Sequence, residues 1–150
     1  MYSVFEHFLM GEYAYTQTMM PVCEKHELTY TELTVLLFLA NNPALDTASD
    51  IVKCRNIAKS HVSISVRSLE ERGLLTKEFQ NGNRRSFHLR LTELASPIVM
   101  DGKEAQERFK EILFQGVSES ERNTVTAVLQ KIDQNVEAYA KEGAKKDAKQ

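Results

Sequence analysis

Residues 57–92 read IAKSHVSISVRSLEERGLLTKEFQNGNRRSFHLRLT, and the main signals of the fold lie in this segment. Its first half places Val62, Val66 and Leu69 at intervals of four and three residues. An apolar stripe at this spacing predicts a helix from about residue 57 to residue 72, with one face turned to a core. The opposite face of that helix is polar and basic.

A hairpin is predicted directly after this helix. Gly73 ends the helix as a left-handed C-cap, and residues 75–79 and 85–92 have the composition and alternation of strands. Between them lies Asn81-Gly82, the strongest short-range signal of a hairpin turn. In the second strand, the side chains expected to point outward are Ser86, His88 and Arg90.

Two helices are predicted upstream of this stretch. Thr29 and Glu32 have the spacing of a capping box, so a helix begins there and runs to the stop at residues 41–43. A short helix follows around Ala48–Cys54. A helix, a tight turn, a second helix and a hairpin in this order are typical of the winged helix-turn-helix, whose second helix lies in the DNA major groove. The sequence therefore predicts a mainly α fold with a small β-hairpin wing.

Apolar helices are predicted at both ends of the chain. One covers residues 3–20 and is bounded by Pro21. Two more are expected, at about residues 95–115 and from Ser118, where a second capping box begins. The first and last of these helices carry more apolar surface than a small domain can bury by itself. We therefore predict N- and C-terminal dimerisation helices and a homodimer.

Length and composition are those of one ordinary globular domain, with 150 residues of which 42% are hydrophobic and 27% charged. We expect a winged lobe at 29–93, dimerisation helices at 1–22 and 95–142, and a flexible tail at 143–150. No apolar run is long enough to span a membrane, and the first residues lack the cations of a signal peptide. These features predict a cytoplasmic protein with two reduced cysteines.

Charge is unevenly distributed along the chain. The net charge is −6 over residues 1–52, +6 over residues 53–90 and −2 over residues 91–150. A positive block on the predicted lobe can bind phosphates, and the acidic remainder limits nonspecific binding. Taken alone, the block is equally consistent with a solvated surface. On a winged helix-turn-helix it favours double-stranded DNA as the partner.

The chain resembles a known family, the MarR-type bacterial transcriptional regulators, over about residues 5–142. The resemblance is most specific at 28–37, at 59–74 and at 83–93, which is similar to the family's wing motif. In that motif an acidic residue, a variable residue and an arginine precede a strand that ends in Leu-Thr. The resemblance implies a homodimer that represses, or less often activates, nearby genes. It also implies release from DNA when a small molecule or an oxidant acts.

DNA contacts are predicted on the outer face of the 57–72 helix and on the wing. The outer residues of the helix are mostly short hydrogen-bonding groups and cations, which suit docking in the major groove. The family's wing arginine reaches into the minor groove, which by position implies Arg85 here, with Arg84 beside it. The predicted DNA-binding set is Lys59, Ser60, His61, Ser63, Ile64, Arg67, Asn83, Arg84 and Arg85.

Three positions depart from the family pattern. Asn83 replaces the usual Asp, and a neutral acceptor orients the wing arginine less firmly than a carboxylate does. Ala58 stands where a capping Ser is common, so either Asn56 caps the helix instead or about 1 kcal/mol of helix stability is forgone. Ile64 occupies a position often held by a polar residue. Both a contact with a thymine methyl group and simple packing are open for its side chain.

The resemblance also implies a ligand cleft between the dimer helices and the DNA-binding lobe. The candidate lining residues are Phe8, Tyr13, Tyr15 and Met19, for which packing in the dimer core is the alternative. A small molecule that enters this cleft is the predicted effector.

Oxidant or metal sensing is an alternative on the same fold. Cys23 is the candidate redox residue, although Glu24 and Glu27 oppose the lowered thiol pKa that reactivity needs, and a buried structural cysteine is the other reading. Cys23, Glu24 and His26 also form a loose cluster, but zinc needs three or four converging ligands and no fourth is evident. We therefore expect neither a metal nor a cofactor. Cys54 is expected to be buried by its helix.

Catalytic motifs are absent from the sequence, which has no GxSxG, P-loop, GxGxxG or HExxH pattern. We therefore expect no enzyme activity and no catalytic residues. A winged-helix module that binds another protein, such as an antirepressor that does not bind DNA, is the remaining alternative.

Overall fold

The structure is a computed structural model that describes the backbone of residues 4–79 and 87–147. Within these ranges the chain is mostly helical, with one antiparallel hairpin. The elements in chain order are α1 (Val4–His26), α2 (Tyr30–Asn41), α3 (Ala48–Arg55), α4 (Lys59–Glu71), β1 (Leu75–Phe79), β2 (Phe87–Leu91), a short 3-10 helix (Glu93–Ala95), α5 (Ser96–Leu113) and α6 (Glu119–Asp147). The predicted fold class is confirmed.

The chain divides into two units, Met1–Phe109 and Lys110–Gln150. The first unit holds the hydrophobic core, to which every helix from α1 to α5 and both strands contribute buried side chains. The second unit consists mainly of α6. No helix in the described part of the chain is long and apolar enough to cross a membrane.

Helix α2 forms the centre of the core, with seven of its 12 residues buried. Its N-terminus has the predicted capping box, since the Thr29 hydroxyl accepts from the Glu32 N–H and the Glu32 carboxylate accepts from the Thr29 N–H at 2.7 Å. The helix ends at Asn42, whose N–H donates to the Phe38 carbonyl. Both ends of this helix were therefore predictable from local signals.

Helix α1 differs from its prediction, because it continues through Pro21 to His26. A proline inside a helix removes one backbone hydrogen bond and costs about 3 kcal/mol. Val22 and Cys23, which follow the proline, are buried in the core, and this burial favours continuation of the helix. The helix ends at Glu27, which has a left-handed φ of 52°.

The predicted hairpin forms, with β1 as predicted and β2 at Phe87–Leu91 within the predicted 85–92. Leu75 pairs with Leu91, and Phe79 pairs with Phe87. Gly73 ends the preceding turn with a φ of +70°, as predicted. Residues 80–86 contain the predicted turn and the wing residues Asn83, Arg84 and Arg85, which lie outside the described residues. Within 143–150, the predicted flexible tail, helix α6 continues to Asp147.

Candidate nucleic-acid interface

Helix α4 has two faces of opposite character. Its inner face is buried and consists of Val62, Ser65, Val66 and Leu69. The opposite side is exposed. It carries all six residues predicted for the major groove, namely Lys59, Ser60, His61, Ser63, Ile64 and Arg67. The structure therefore brings these six side chains together on one solvent-facing surface, which we call the outer face of α4.

The N-terminus of α4 has no side-chain cap. The residue at the N-cap position is Ala58, which offers no hydrogen-bonding group. Asn56 does not replace it, because it ends α3 in a left-handed conformation with φ 51° and ψ 38°. Of the two alternatives, the uncapped helix is therefore correct. The first turn of α4 therefore has no side-chain acceptor for its N–H groups, and a helix N-terminus of this kind can bind an anion.

The C-terminal end of α4 is tied to the end of α1. The Arg72 guanidinium donates to the carbonyl oxygens of His26 and Glu27, each at 2.9 Å. Ser68 also forms a hydrogen bond to the Glu32 carboxylate of α2. Burial by itself would raise the pKa of Glu32, but the hydrogen bonds from Ser68 and Thr29 and the charge of Arg72 hold that pKa below its usual value. The back of α4 is thus anchored by polar contacts as well as by the core.

Asp46, in the loop between α2 and α3, anchors the base of the wing. Its carboxylate pairs with His88 and with Arg90 of β2, and its carbonyl accepts from the Leu89 N–H at 2.7 Å. Hydrogen bonding to His88, opposed by partial burial and reinforced by Arg90, lowers the pKa of Asp46. His88 and Arg90 were predicted simply to point outward, and no local sequence pattern indicates this distant partner.

The cations of the basic segment, residues 53–90, fall into two groups: some are paired within the chain and others are not. Arg72 caps α1, Lys77 pairs with Glu70, and Arg90 pairs with acids. Among the described residues no ion pair involves Lys59 or Arg67 on the outer face of α4. Part of the exposed positive charge that is not paired in this way thus lies where the sequence predicted DNA, at Lys59 and Arg67, and part lies on α3 at Lys53 and Arg55.

A cavity of about 270 Å³ lies within the first unit. Of the predicted cleft residues, Tyr15 and Met19 line it. Tyr13 is 68% exposed and does not line this cavity, and the side chain of Phe8 lies outside the described residues. The lining residues that the sequence did not indicate are Glu12, Tyr30, Leu33, Thr34, Leu37, Cys54, Arg55 and Ile57.

The wall of this cavity is held in place by α5. The Tyr15 ring packs edge-on against Phe109 with 5.4 Å between the ring centroids, and the Tyr15 hydroxyl accepts from Gln106 at 2.7 Å. Arg55 lies over the Phe38 ring, with its guanidinium carbon 5.6 Å from the centroid. The cavity therefore combines aromatic and apolar walls with a cation and an acid at its margin, which suits a small amphipathic molecule.

The two cysteines have different environments. Cys23 is buried, and burial raises the pKa of its thiol, with further contributions from Glu24 and Glu32. A raised pKa is unfavourable for a thiol that senses oxidants. Cys54 is exposed, so the expectation that its helix buries it was wrong. In the part of the chain that the structure describes, no group of three or more His, Cys, Asp or Glu residues could hold a metal ion.

Helix α6 of the second unit carries an exposed apolar stripe. The helix begins with the predicted capping box, in which the Ser118 N–H donates to the Glu121 carboxylate at 2.8 Å. The exposed apolar side chains along it are Val125, Val128, Leu129, Ile132, Val136 and Tyr139. A stripe of this kind is typical of a helix that packs against a partner.

A family model described as the MarR family matches residues 26–86. A solved structure of a transcriptional regulator is 20% identical, with a TM-score of 0.81 over 91% of this chain and 99% of that chain. The DNA complex of MepR from S. aureus is 21% identical, with a TM-score of 0.73 over 90% of this chain and 99% of that one. BpsR from Bordetella bronchiseptica, whose DNA binding is regulated by 6-hydroxynicotinic acid, is 21% identical, with a TM-score of 0.68 over 87% and 99%. These likenesses confirm the winged-helix fold.

Proposed function

We propose that this chain, whose residues 26–86 match the model of the MarR family, is a DNA-binding transcriptional regulator of that family. In this proposal it acts in the bacterial cytoplasm as a homodimeric repressor on a pseudo-palindromic operator. The observation that carries the proposal is the outer face of α4, which is exposed, polar and basic while its inner face is anchored in the core.

The outer face of α4 is suited to the major groove. A helix fits that groove, and hydroxyl, imidazole and guanidinium groups can hydrogen-bond base edges or phosphates there. The uncapped N-terminus of α4 presents backbone N–H groups to a phosphate, with Lys59 beside it. We place Arg84 and Arg85 of the wing at the minor groove or its phosphates, on the sequence pattern alone.

A homodimer is supported by exposed apolar surface on the terminal helices. In α6 the apolar stripe is exposed along the described side chains, and in α1 Leu9 and Met10 are also exposed. A second copy of the chain can cover such surfaces. Two-fold symmetry then presents two α4 helices to half-sites about one helical turn apart. Occupation of a promoter by this dimer is the expected means of repression.

Release by a small molecule is proposed for the cavity lined by Tyr15 and Met19. The cavity lies next to the start of α4, since Ile57, two residues before that helix, also lines it. A ligand that binds there can shift α4 only by binding one position of the helix more tightly than another. The regulation of BpsR by 6-hydroxynicotinic acid supports effector control within this fold.

In vitro selection from random duplexes tests DNA binding, with footprinting of the selected site and of the chain's own upstream region. We expect a symmetric protected site with half-sites about 10 base pairs apart. Sedimentation should give roughly twice the 17.1 kDa of one chain. A folded protein that enriches no sequence and protects no site contradicts the proposal. That result would favour the protein-interaction module.

A further inference from the structure

The outer face of α4 contains one large apolar side chain, Ile64, which is 66% exposed. Ser60, Ser63 and Arg67 are also exposed. Ser60 and Arg67 lie four residues before and three residues after Ile64, and Ser63 lies three residues after Ser60 and four before Arg67, so all four share one side of the helix. This face is opposite the buried stripe of Val62, Val66 and Leu69. Ile64 therefore lies at the centre of the polar surface and makes no contribution to the core.

An isolated exposed apolar residue is common on protein surfaces, so the position of Ile64 carries the argument. Isoleucine is β-branched, which lowers helix propensity relative to alanine. In the interior of a protein that cost is offset by burial. At 66% exposure most of this compensation is missing within the chain. An external apolar group that covers the side chain would supply it.

The major groove offers one such group. Thymine carries a C5 methyl group there, next to the O4 acceptor, whereas guanine, adenine and cytosine present only hydrogen-bonding groups. Ser60, Ser63 and Arg67 around Ile64 can satisfy those hydrogen-bonding groups. An apolar side chain between them can make van der Waals contact with a methyl group and is a poor match for an unpaired base donor or acceptor.

We propose that Ile64 is a specificity-determining residue that contacts a thymine methyl group in each half-site. This inference rests on the proposed function, since it requires that α4 enter the major groove. The 66% exposure of Ile64 also argues against the packing alternative left open by the sequence, because most of the side chain is not covered within the lobe.

The test combines a protein variant with a DNA variant. Deoxyuridine replaces each thymine of the selected half-site in turn, which removes only the methyl group. Wild-type protein should lose about fourfold in affinity per half-site at one thymine, as expected for one methyl group that leaves an apolar contact. Ile64→Ser should bind the thymine and uracil sites within twofold of each other. Met100→Ala, at an equally exposed position of α5, should retain the wild-type response.

Each outcome has a distinct meaning. A thymine-to-uracil loss seen in wild type and abolished in Ile64→Ser supports the inference. Operator binding with no methyl dependence, or with the same dependence in both proteins, overturns it and leaves the proposed function intact. Failure of wild-type protein to select any DNA overturns both. Circular dichroism of Ile64→Ser checks that the variant is folded.

Discussion

Helices α2 and α4 are neighbours in the same core and have 12 and 13 residues. They differ in how many of their side chains are buried and in whether their N-termini are capped. In α2 seven residues are buried and a capping box closes the N-terminus. In α4 four residues are buried and no side chain caps the N-terminus. The interactions of α2 are thus made largely within the chain, whereas α4 has an exposed outer face and an N-terminus without a side-chain cap, which the proposed function assigns to DNA. Substitutions in α2 should change stability, and substitutions on the outer face of α4 should change binding.

The largest expected effect is the loss of a buried side chain of α2. Leu36 is fully buried, so Leu36→Ala should lower the free energy of unfolding by about 2–5 kcal/mol. Ser63→Ala on the outer face of α4 should change it by less than about 0.5 kcal/mol. Urea denaturation of both variants measures the contrast. Similar losses in the two would remove the distinction between these helices.

A smaller effect is expected where α5 approaches α2. A Cβ added at Gly102 would lie 2.7 Å from Leu37 Cδ2. Because Leu37 is buried, Gly102→Ala should destabilise the protein by about 1–2 kcal/mol. The control is Gly11→Ala in α1, where an added Cβ would have no atom within 4 Å other than its own stretch of helix backbone. The gain in helix propensity there should raise stability by up to about 1 kcal/mol. Thermal melts of both variants measure the effect. If the two substitutions moved the melting temperature in the same direction, this packing of α5 against α2 would be contradicted.

Opposite effects of about 1 kcal/mol are expected at the two N-caps. Thr29→Ala removes the capping box of α2 and should lower the free energy of unfolding by about 1 kcal/mol. Ala58→Ser provides a hydroxyl at the uncapped start of α4 and should raise it by a similar amount at most. Denaturant titration of the two single variants would show whether the signs are opposite. A lower free energy of unfolding in both variants would mean that α4 is already capped.

The smallest effect concerns Asp46, which anchors the wing. Its pKa is lowered below 3.8 by His88 and Arg90, so its ionised form stabilises the folded chain. This contribution is fully present above pH 3.8 and is lost as the pH falls through the lowered value. Asp46→Asn should therefore be less stable than wild type at pH 6, and the difference should shrink in strong acid. A difference that does not depend on pH would indicate a role other than charge.

Local signals explain how much of this fold was predictable. The capping boxes at Thr29 and Ser118 and the left-handed Gly73 each depend on residues within one or two turns, and each was predicted correctly. The continuation of α1 through Pro21 was not, because it depends on burial against distant helices. A local sequence pattern indicates the conformation that a residue favours. It does not show where tertiary contacts outweigh that preference.

The same limit to prediction from local sequence applies to the candidate site. The outer face of α4 was predictable, because the spacing of its apolar stripe determines which residues point away from the core. The engagement of Arg72 by the end of α1, and of Arg90 by Asp46, links residues more than 40 positions apart. Sequence alone therefore identified a basic segment but not which cations are occupied. The prediction that Cys54 is buried was wrong for the same reason, because the burial of a short helix depends on its tertiary neighbours.

Binding of DNA by the outer face of α4 is tested by a comparison of two exposed arginines. Arg67 lies on that face, and Arg108 lies on α5 and pairs with Glu104. Affinity for the selected operator should be measured over a range of salt concentrations. Arg67→Ala should bind at least about tenfold more weakly than wild type with a flatter salt dependence, whereas Arg108→Ala should remain within about twofold. Unchanged affinity and salt dependence for Arg67→Ala, or equal losses for both arginines, would contradict the account.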